Sequence, residues 1–348
     1  MIESKVKSLL ENIISSQDLT QSEAHYFLNE VMKGNVSEII LSAFLTALKI
    51  KGETEEELTG FVLAMRENAE KPKQKFDFDF MDTCGTGGDG KGSFNVSTLS
   101  AFTLASLGVK VAKHGNRSVS SLSGSSDILQ SIGYDLDRSK EDLTAEFLKT
   151  GFVFLFAQSW HPSMKYAGPV RRELGIRTFF NLIGPLSNPF APTHQVLGVY
   201  DSSLVVPVSR ILAQLGIKKS VTCHSRDGMD EFSIFAPTDY AFFDGKTTES
   251  LVFDPKVLKS LFPLKEEEVF SKSKEESSAH FFEILKGAKT SGTDLVALNA
   301  GVALFVAGKV GSISEGFEMA KEALLSKKVL EFVRETLNLS QVVSSLDK

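Results

Sequence analysis

The sequence predicts an α/β protein: a large domain with a mainly parallel central sheet flanked by helices, beside a small all-α domain. Three observations carry that prediction. Residues 1–70 show helical periodicity alone, strand and helix patterns alternate from Phe76 onward, and 161–192 interrupt the alternation with a second helical run. The small domain is therefore expected over 1–71, with 163–192 returning to it as a mid-chain helical excursion. The large domain takes 76–162 and 193–348.

Within 1–70, Val6, Leu9, Leu10 and Ile13 share one helix face, and Ala24, Phe27, Leu28 and Val31 share another. Thr54-Glu55-Glu56-Glu57 is a capping box opening a helix that carries Leu58, Phe61, Val62 and Met65. Nothing in this lobe is equipped for chemistry; it suits a dimer surface. Lys71-Pro72-Lys73-Gln74-Lys75 reads as a linker. Phe76, Phe78 and Phe80 alternate with Asp77 and Asp79, which predicts a strand over 76–82. Helix 97–107, strand 109–112 and helices 123–132 and 139–149 follow. Strand 152–157 is apolar from Phe152 to Phe156, as a strand buried on both faces should be. The excursion comprises helix 163–174, a helical 178–183 and the rigid Gly184-Pro185-Leu186-Ser187-Asn188-Pro189. The sheet resumes with strand 195–200, helix 204–215 and strand 219–223, then a hairpin near 240–252 turning at Asp244-Gly245. Lys265 to Glu276 reads as a solvated charged segment. Helices at 278–287, 292–308, 313–326 and near 328–337 close the chain.

Apolar content of 42% and charged content of 24% are ordinary for a soluble globular protein. A net charge of −6 argues against nucleic acid or an anionic membrane as partner. The first residues lack a signal-peptide core, and no run approaches the ~18 apolar residues of a membrane span, so a cytoplasmic protein is expected. Cys84 and Cys223 have no disulfide or zinc spacing and read as small packing residues.

The chemistry is concentrated in Asp82-Thr83-Cys84-Gly85-Thr86-Gly87-Gly88-Asp89-Gly90-Lys91-Gly92-Ser93-Phe94-Asn95-Val96-Ser97-Thr98. Strand, glycine loop and capped helix form a phosphate cradle, because glycine lets the backbone N–H groups approach an anion and the helix N-terminus adds positive potential. Gly85, Gly87 and Gly90 also satisfy the dinucleotide pattern. That reading wants an acid about 20 residues on, where this chain has the basic Lys113-His114-Gly115-Asn116-Arg117. The P-loop pattern nearly fits too, but Gly92 stands where Ser or Thr should hold Mg²⁺. A plain glycine-rich turn is the remaining alternative. Asp89 suits a ligand that carries a ribose as well as phosphates.

Lys113 to Ser121, at a strand's C-terminal end, suits a second phosphate, and Ser123-Gly124-Ser125-Ser126-Asp127 opens another helix. Asp230-Glu231 is a hard-oxygen pair suited to Mg²⁺ shared with substrate phosphates, or else a surface acid pair. Arg171 or Arg172 on the excursion could grip a carboxylate across a cleft. His161 is open between base, donor and core histidine. No Ser-His-Asp or Cys-His nucleophile stands out, so the pattern suggests group transfer at an activated sugar.

At these residues the chain resembles the anthranilate phosphoribosyltransferases of tryptophan biosynthesis, over nearly its whole length. The resemblance runs through Gly85-Thr86-Gly87-Gly88-Asp89, Asn95-Val96-Ser97-Thr98, Lys113-His114-Gly115-Asn116-Arg117, Phe180 to Pro189, Asp230-Glu231 and Leu298-Asn299-Ala300-Gly301. It implies a homodimer with the two-domain fold shared with pyrimidine nucleoside phosphorylases. It also implies transfer from 5-phosphoribosyl diphosphate (PRPP) to anthranilate, with release of diphosphate. By that resemblance PRPP is held by Gly85, Gly88, Asp89, Ser93, Asn95, Val96, Ser97, Thr98, Lys113, His114, Gly115, Asn116, Arg117, Ser118, Val119, Ser120, Ser121 and Ser125. Anthranilate is held by Gly85, Asn116, His114, His161, Met164 and Arg171, with Arg171 on its carboxylate, and Mg²⁺ by Ser97, Asp230 and Glu231. No essential general acid or base is implied. Leu122 stands where many members carry lysine, which leaves Lys113 and Arg117 as the expected phosphate cations. The rivals are a pyrimidine nucleoside phosphorylase, a relative with another acceptor, and a non-catalytic relative; Arg171 favours an acceptor with a carboxylate.

Overall fold

The computed structural model describes residues 2–88, 90–117 and 124–336. The chain opens with four helices, α1 (Ile2–Ile14), α2 (Gln21–Met32), α3 (Glu38–Lys51) and α4 (Glu55–Glu67). Thr20 with Glu23 and Thr54 with Glu57 close reciprocal capping boxes at the starts of α2 and α4. Val6, Leu9, Ile13, Phe27, Leu28, Leu58, Phe61 and Val62 point inward as their spacing predicts. Phe27 stacks on Phe44 at 3.6 Å between ring centroids. Buried Glu57 accepts the Leu19 and Thr54 N–H groups, both at 2.9 Å, and pairs with Lys51 at 3.0 Å. A buried carboxylate so fully engaged binds the loop before α2 to the start of α4.

The remainder is a seven-stranded mixed sheet flanked by helices. In chain order its elements begin with β1 (Met81–Gly85), α5 (Val96–Ser106), β2 (Val111–Gly115), α6 (Ser125–Ser131), α7 (Lys140–Thr150), β3 (Phe152–Phe156) and α8 (Ala157–Trp160). Next come α9 (Gly168–Leu174), α10 (Phe179–Leu186), β4 (His194–Gly198), α11 (Val205–Gln214) and β5 (Lys219–Ser225). The chain continues with β6 (Thr238–Phe243), β7 (Thr248–Phe253), α12 (Lys274–Leu285), α13 (Ser291–Val306), α14 (Ile313–Leu325) and α15 (Lys328–Thr336). The strand order is β3-β2-β1-β4-β5-β6-β7, with β1 to β5 parallel and antiparallel pairing from β5 to β6 and from β6 to β7. Met81 pairs with His194 and Gly85 with Gly198, so β1 and β4 end level with each other at their C-terminal ends. All five residues of β3 are buried, as its unbroken apolar run predicts.

The structure corrects several boundaries. The expected strand over 76–82 starts only at Met81. The Phe76, Phe78 and Phe80 rings do not alternate between faces; they gather in one pack with Phe147 and Phe190, at centroid separations of 5.1–6.2 Å. The second strand lies at 111–115, not 109–112, and so takes in Lys113, His114 and Gly115. In the excursion, a 3₁₀ turn at Pro162–Tyr166 precedes a shorter α9, with Pro169 in its first turn. α10 runs beyond 183, through Pro185. The hairpin loop spans 244–247, not two residues, because the Asp244 carboxylate accepts the N–H groups of Lys246 and Thr247, both at 2.8 Å. Capped by Ser273, α12 begins at Lys274, four residues ahead of the expected start at 278.

Two apolar clusters result. One fills the sheet and α5, α7 and α12 to α15; the other joins α1 to α4 with Val170, Phe179, Phe180, Leu182, Ile183 and Leu186, and continues onto Leu197 and α11. The connecting segment after α4 is strapped down. Glu70 donates its N–H to the Trp160 carbonyl (2.8 Å), Lys73 pairs with Glu141 (2.6 Å) and Lys140 with Glu70 (3.3 Å). Trp160 itself is fully buried, edge-on to Phe190 at 5.2 Å. Among the described residues no helix is long and apolar enough to cross a membrane.

Candidate active site

The C-terminal ends of β1, β4 and β5 meet the turn that carries Asp230 and Glu231. The Asp230 carboxylate accepts the Gly87 N–H at 2.8 Å. A Cβ on Gly85 would overlap that carboxylate, and one on Gly198 would stand 1.4 Å from the Asp230 carbonyl oxygen. Both strand ends are therefore bare where the turn rests on them. Ser93 reaches Glu231 at 3.4 Å. Asn299, from the middle of α13, fixes the turn from behind: its side chain accepts the Phe232 N–H and donates to the Phe232 carbonyl, both at 2.9 Å. Ser97, Asp230, Glu231 and Asn299 border a small cavity of ≈ 20 Å³, large enough for one water-sized occupant. The glycine loop and the acid pair, 143 residues apart at the Gly87–Asp230 bond, thus form one place.

Asn95 opens α5, but its side chain makes no capping bond; Val96 and Thr98 are buried, leaving the backbone as their contribution to an anion site. Lys113, expected as a phosphate cation in the loop after the second strand, lies within β2 instead. It is 2% exposed, and its ammonium donates to the Thr83 carbonyl and to Ser97 Oγ (3.0 Å). Burial lowers its pKa, while Asp82 draws it up. This cation supports the loop from beneath. Asp82, also buried, accepts the His114 N–H (3.2 Å) and the Asn188 amide (2.9 Å). Burial raises its pKa to about 6 despite Lys113. Asn188 also donates to the Ala112 carbonyl (2.8 Å), so it fastens the end of the excursion to β1 and β2.

His114 and His161 lie with ring centroids 5.1 Å apart. A Cβ on Gly115 would overlap Ser125 Oγ and meet the Phe154 ring, so β2 and the start of α6 meet closely. Asn116 is exposed, its Oδ1 accepting the Arg117 N–H at 2.8 Å. Arg117 lies 3.7 Å from Asp127 and over the Phe156 ring. Arg171, in the last turn of α9, lies over the Phe180 ring at 4.8 Å; burial lowers its pKa to about 10, so it stays cationic at neutral pH. Met164 packs against the helical cluster. Asp89, Ser118, Val119, Ser120 and Ser121 lie outside the described residues.

Sequence reasoning missed Asn188, Gly198, the anchoring role of Asn299, and Arg66. Arg66 crosses from α4 to the Leu186 carbonyl at 2.8 Å, with its second guanidinium nitrogen buried and unpartnered among the described residues. Its charge helps hold His114 neutral, though burial and His161 matter more.

Burial also brings His161 down to about 4. An unfolded histidine titrates near 6.5. Between those values the unfolded chain binds a proton that the folded chain refuses, so this part of the stability is present above about pH 6.5 and lost as pH falls toward 4. The gap corresponds to roughly 3 kcal/mol. Asp82 acts in the opposite sense, its contribution being full below pH 3.8 and lost as pH rises through 6. The His161→Asn variant is expected to lose less urea stability than the parent between pH 7 and pH 5. Equal losses would place that proton linkage elsewhere.

Fold and site define a class: a two-lobed α/β protein with a glycine loop and a carboxylate pair brought together at the strand ends. A family profile described as the a/b domain of a glycosyl transferase family matches residues 77–329, and its helical bundle counterpart matches 7–69. Curated relatives named anthranilate phosphoribosyltransferase include that of Petrotoga mobilis, 39% identical over 96% of this chain and 97% of its own. That of a Geobacillus species is 42% identical over 93% and 95%. The crystal structure of anthranilate phosphoribosyltransferase from Thermus thermophilus superposes with a TM-score of 0.86 at 36% identity, covering 95% of this chain and 98% of that one. The Saccharomyces cerevisiae enzyme, in complex with PRPP and Mg, shares the fold at 24% identity, with a TM-score of 0.86 over 99% of both chains. The chain belongs to the anthranilate phosphoribosyltransferases of this glycosyl transferase family.

Proposed function

We propose that this chain transfers the phosphoribosyl group of PRPP to the amine of anthranilate, releasing diphosphate, as a step of tryptophan biosynthesis. The family likeness supports the activity. The observation that carries the site is the closure of Asp230 onto Gly85, Gly87 and Gly198 at the level ends of β1 and β4. That arrangement faces the glycine loop with carboxylates, as a phosphorylated sugar accompanied by a divalent cation requires.

Among the described residues no group of three His, Cys, Asp or Glu could hold a metal alone. Asp230, Glu231 and Ser97 are hard oxygen donors that fit Mg²⁺ when substrate oxygens complete its shell. When bound there, Mg²⁺ supplies charge against the departing diphosphate. The glycine loop, the start of α5 and the 113–117 segment position PRPP, and Lys113 stiffens that seat by tying Thr83 to Ser97. The bond from ribose C1 to diphosphate breaks, C1 gains oxocarbenium character, and the neutral arylamine nitrogen closes on it. Arg171 holds the anthranilate carboxylate, Asn116 borders the amine, and neutral His114 and His161 line the ring's approach. An arylamine needs no prior deprotonation, and the proton it sheds once the C–N bond has formed can pass to an oxygen of the departing diphosphate, so no residue is assigned as general base. The 1–71 lobe with 163–192 closes on the larger domain to exclude water. Exposed Ile39 and Ile50 on α3 support a homodimer contact on that lobe, and a cytoplasmic location accompanies the activity.

Mixing the protein with PRPP, Mg²⁺ and anthranilate should extinguish anthranilate fluorescence, and EDTA should stop the decay. Phosphorolysis of pyrimidine nucleosides in its place would establish the rival. The Asp230→Asn variant is expected to need at least about tenfold more Mg²⁺ for half-maximal rate, because a carboxylate ligand is lost. An unchanged Mg²⁺ response would remove Asp230 from the metal site.

A further inference from the structure

The cations around the glycine loop are unequally committed. Lys113 is buried and bonded to Thr83 and Ser97. Arg117 is turned toward Asp127 and the Phe156 ring. Arg177, in the turn between α9 and α10, differs from both. Its guanidinium lies against the open face of Gly88, where a Cβ would stand 2.7 Å from one of its nitrogens. Gly88 has φ +77°, so that face is bare of necessity. The guanidinium rests over the Tyr200 ring at 4.7 Å. Tyr200 is in turn joined to the same loop, its N–H donating to Thr86 Oγ1 at 3.0 Å, while the Thr86 N–H donates to the Gly198 carbonyl at 2.9 Å. Among the described residues, no carboxylate lies within ion-pair distance of Arg177 and no hydrogen bond engages its guanidinium.

We infer that Arg177 is a donor-positioning residue, contributed by the helical excursion, that grips the diphosphate of PRPP over the Gly87–Gly88 edge of the loop. This rests on the reading above and extends it to a residue outside the glycine and 113–117 motifs. A guanidinium stacked flat on an aromatic ring keeps its N–H edge available, and a planar fork suits two phosphate oxygens. The shelf on Tyr200 holds the fork in place before the anion arrives, which lowers the ordering cost of binding. The segment that carries it also carries Arg171 six residues earlier. One short stretch thus presents a guanidinium to each substrate: Arg171 to the acceptor and Arg177 to the donor.

The test is direct binding of inorganic diphosphate in the presence of Mg²⁺, measured by calorimetry on the full chain, together with steady-state constants for Arg177→Ala and Arg177→Lys. Arg177→Ala is expected to raise the diphosphate Kd and the KM for PRPP by about tenfold or more, as loss of charge-assisted bonds to an anion should. The KM for anthranilate should stay within about twofold, and Arg177→Lys should recover part of the loss, since it keeps the charge without the fork. Arg177 is exposed, so neither variant should shift the thermal midpoint appreciably. Unchanged diphosphate binding in a folded Arg177→Ala overturns the inference. So does a loss confined to binding of ribose 5-phosphate. A parent chain that neither binds diphosphate nor consumes anthranilate would refute the transferase reading itself, and the two failures are therefore separable.

Discussion

Replacing Gly198 with alanine is expected to lower kcat/KM at least about a hundredfold, because it displaces the turn that carries Asp230 and Glu231, the pair proposed to hold Mg²⁺. The added methyl would lie 1.4 Å from the Asp230 carbonyl oxygen, a backbone atom that no rotamer change can move aside. Asn299 pins the far side of that turn through Phe232, so the strain cannot be passed along the chain cheaply. Overpacking usually costs about 1–3 kcal/mol in stability, and an overlap this deep with backbone atoms costs more, so the thermal midpoint should fall along with the rate. Circular dichroism with a rate assay checks both halves. Parent-like kcat/KM in a folded Gly198→Ala would mean that the closeness of turn and strand has no catalytic consequence.

Arg171→Ala should raise the KM for anthranilate about thirtyfold and leave that for PRPP within about twofold. A charge-assisted bond to a carboxylate contributes about 1.5–3 kcal/mol, which spans roughly 10- to 150-fold in affinity. Arg171 stays protonated at neutral pH, its pKa lowered by burial only to about 10. Arg171→Lys should be intermediate, as lysine cannot present a fork. Steady-state constants with each substrate varied in turn decide the matter. Equal effects on both KM values would refute the assignment.

Much of this architecture is legible from contiguous motifs. The glycine loop, the 113–117 segment and the acid pair each announce oxygen or phosphate chemistry by residue type alone, and β3 declares its burial by having no polar residue. What stays hidden depends on long separations. Asn188 reaches Asp82 across 106 positions, Asn299 reaches Phe232 across 67, and Arg66 reaches Leu186 across 120. None of these three signals its partner locally. Lys113 misleads for a related reason: beside histidine and arginine after a strand it reads as a loop cation for phosphate, yet the strand extends through it and draws it under the loop. Phe76 to Phe80 mislead because period-two alternation does not distinguish a ladder from an extended arm whose rings collect on one side.

Trp160 is the only tryptophan in the chain. Its ring is buried edge-on against Phe190, and its carbonyl takes the hydrogen bond that straps the segment after α4. The protein therefore carries an unlabelled optical gauge at the junction of its two parts. Excited selectively, that one indole reports on its own surroundings with no second emitter of its kind to average over. A substrate that shifts its emission has moved the junction, and a substrate that leaves it untouched has found the two parts already in place.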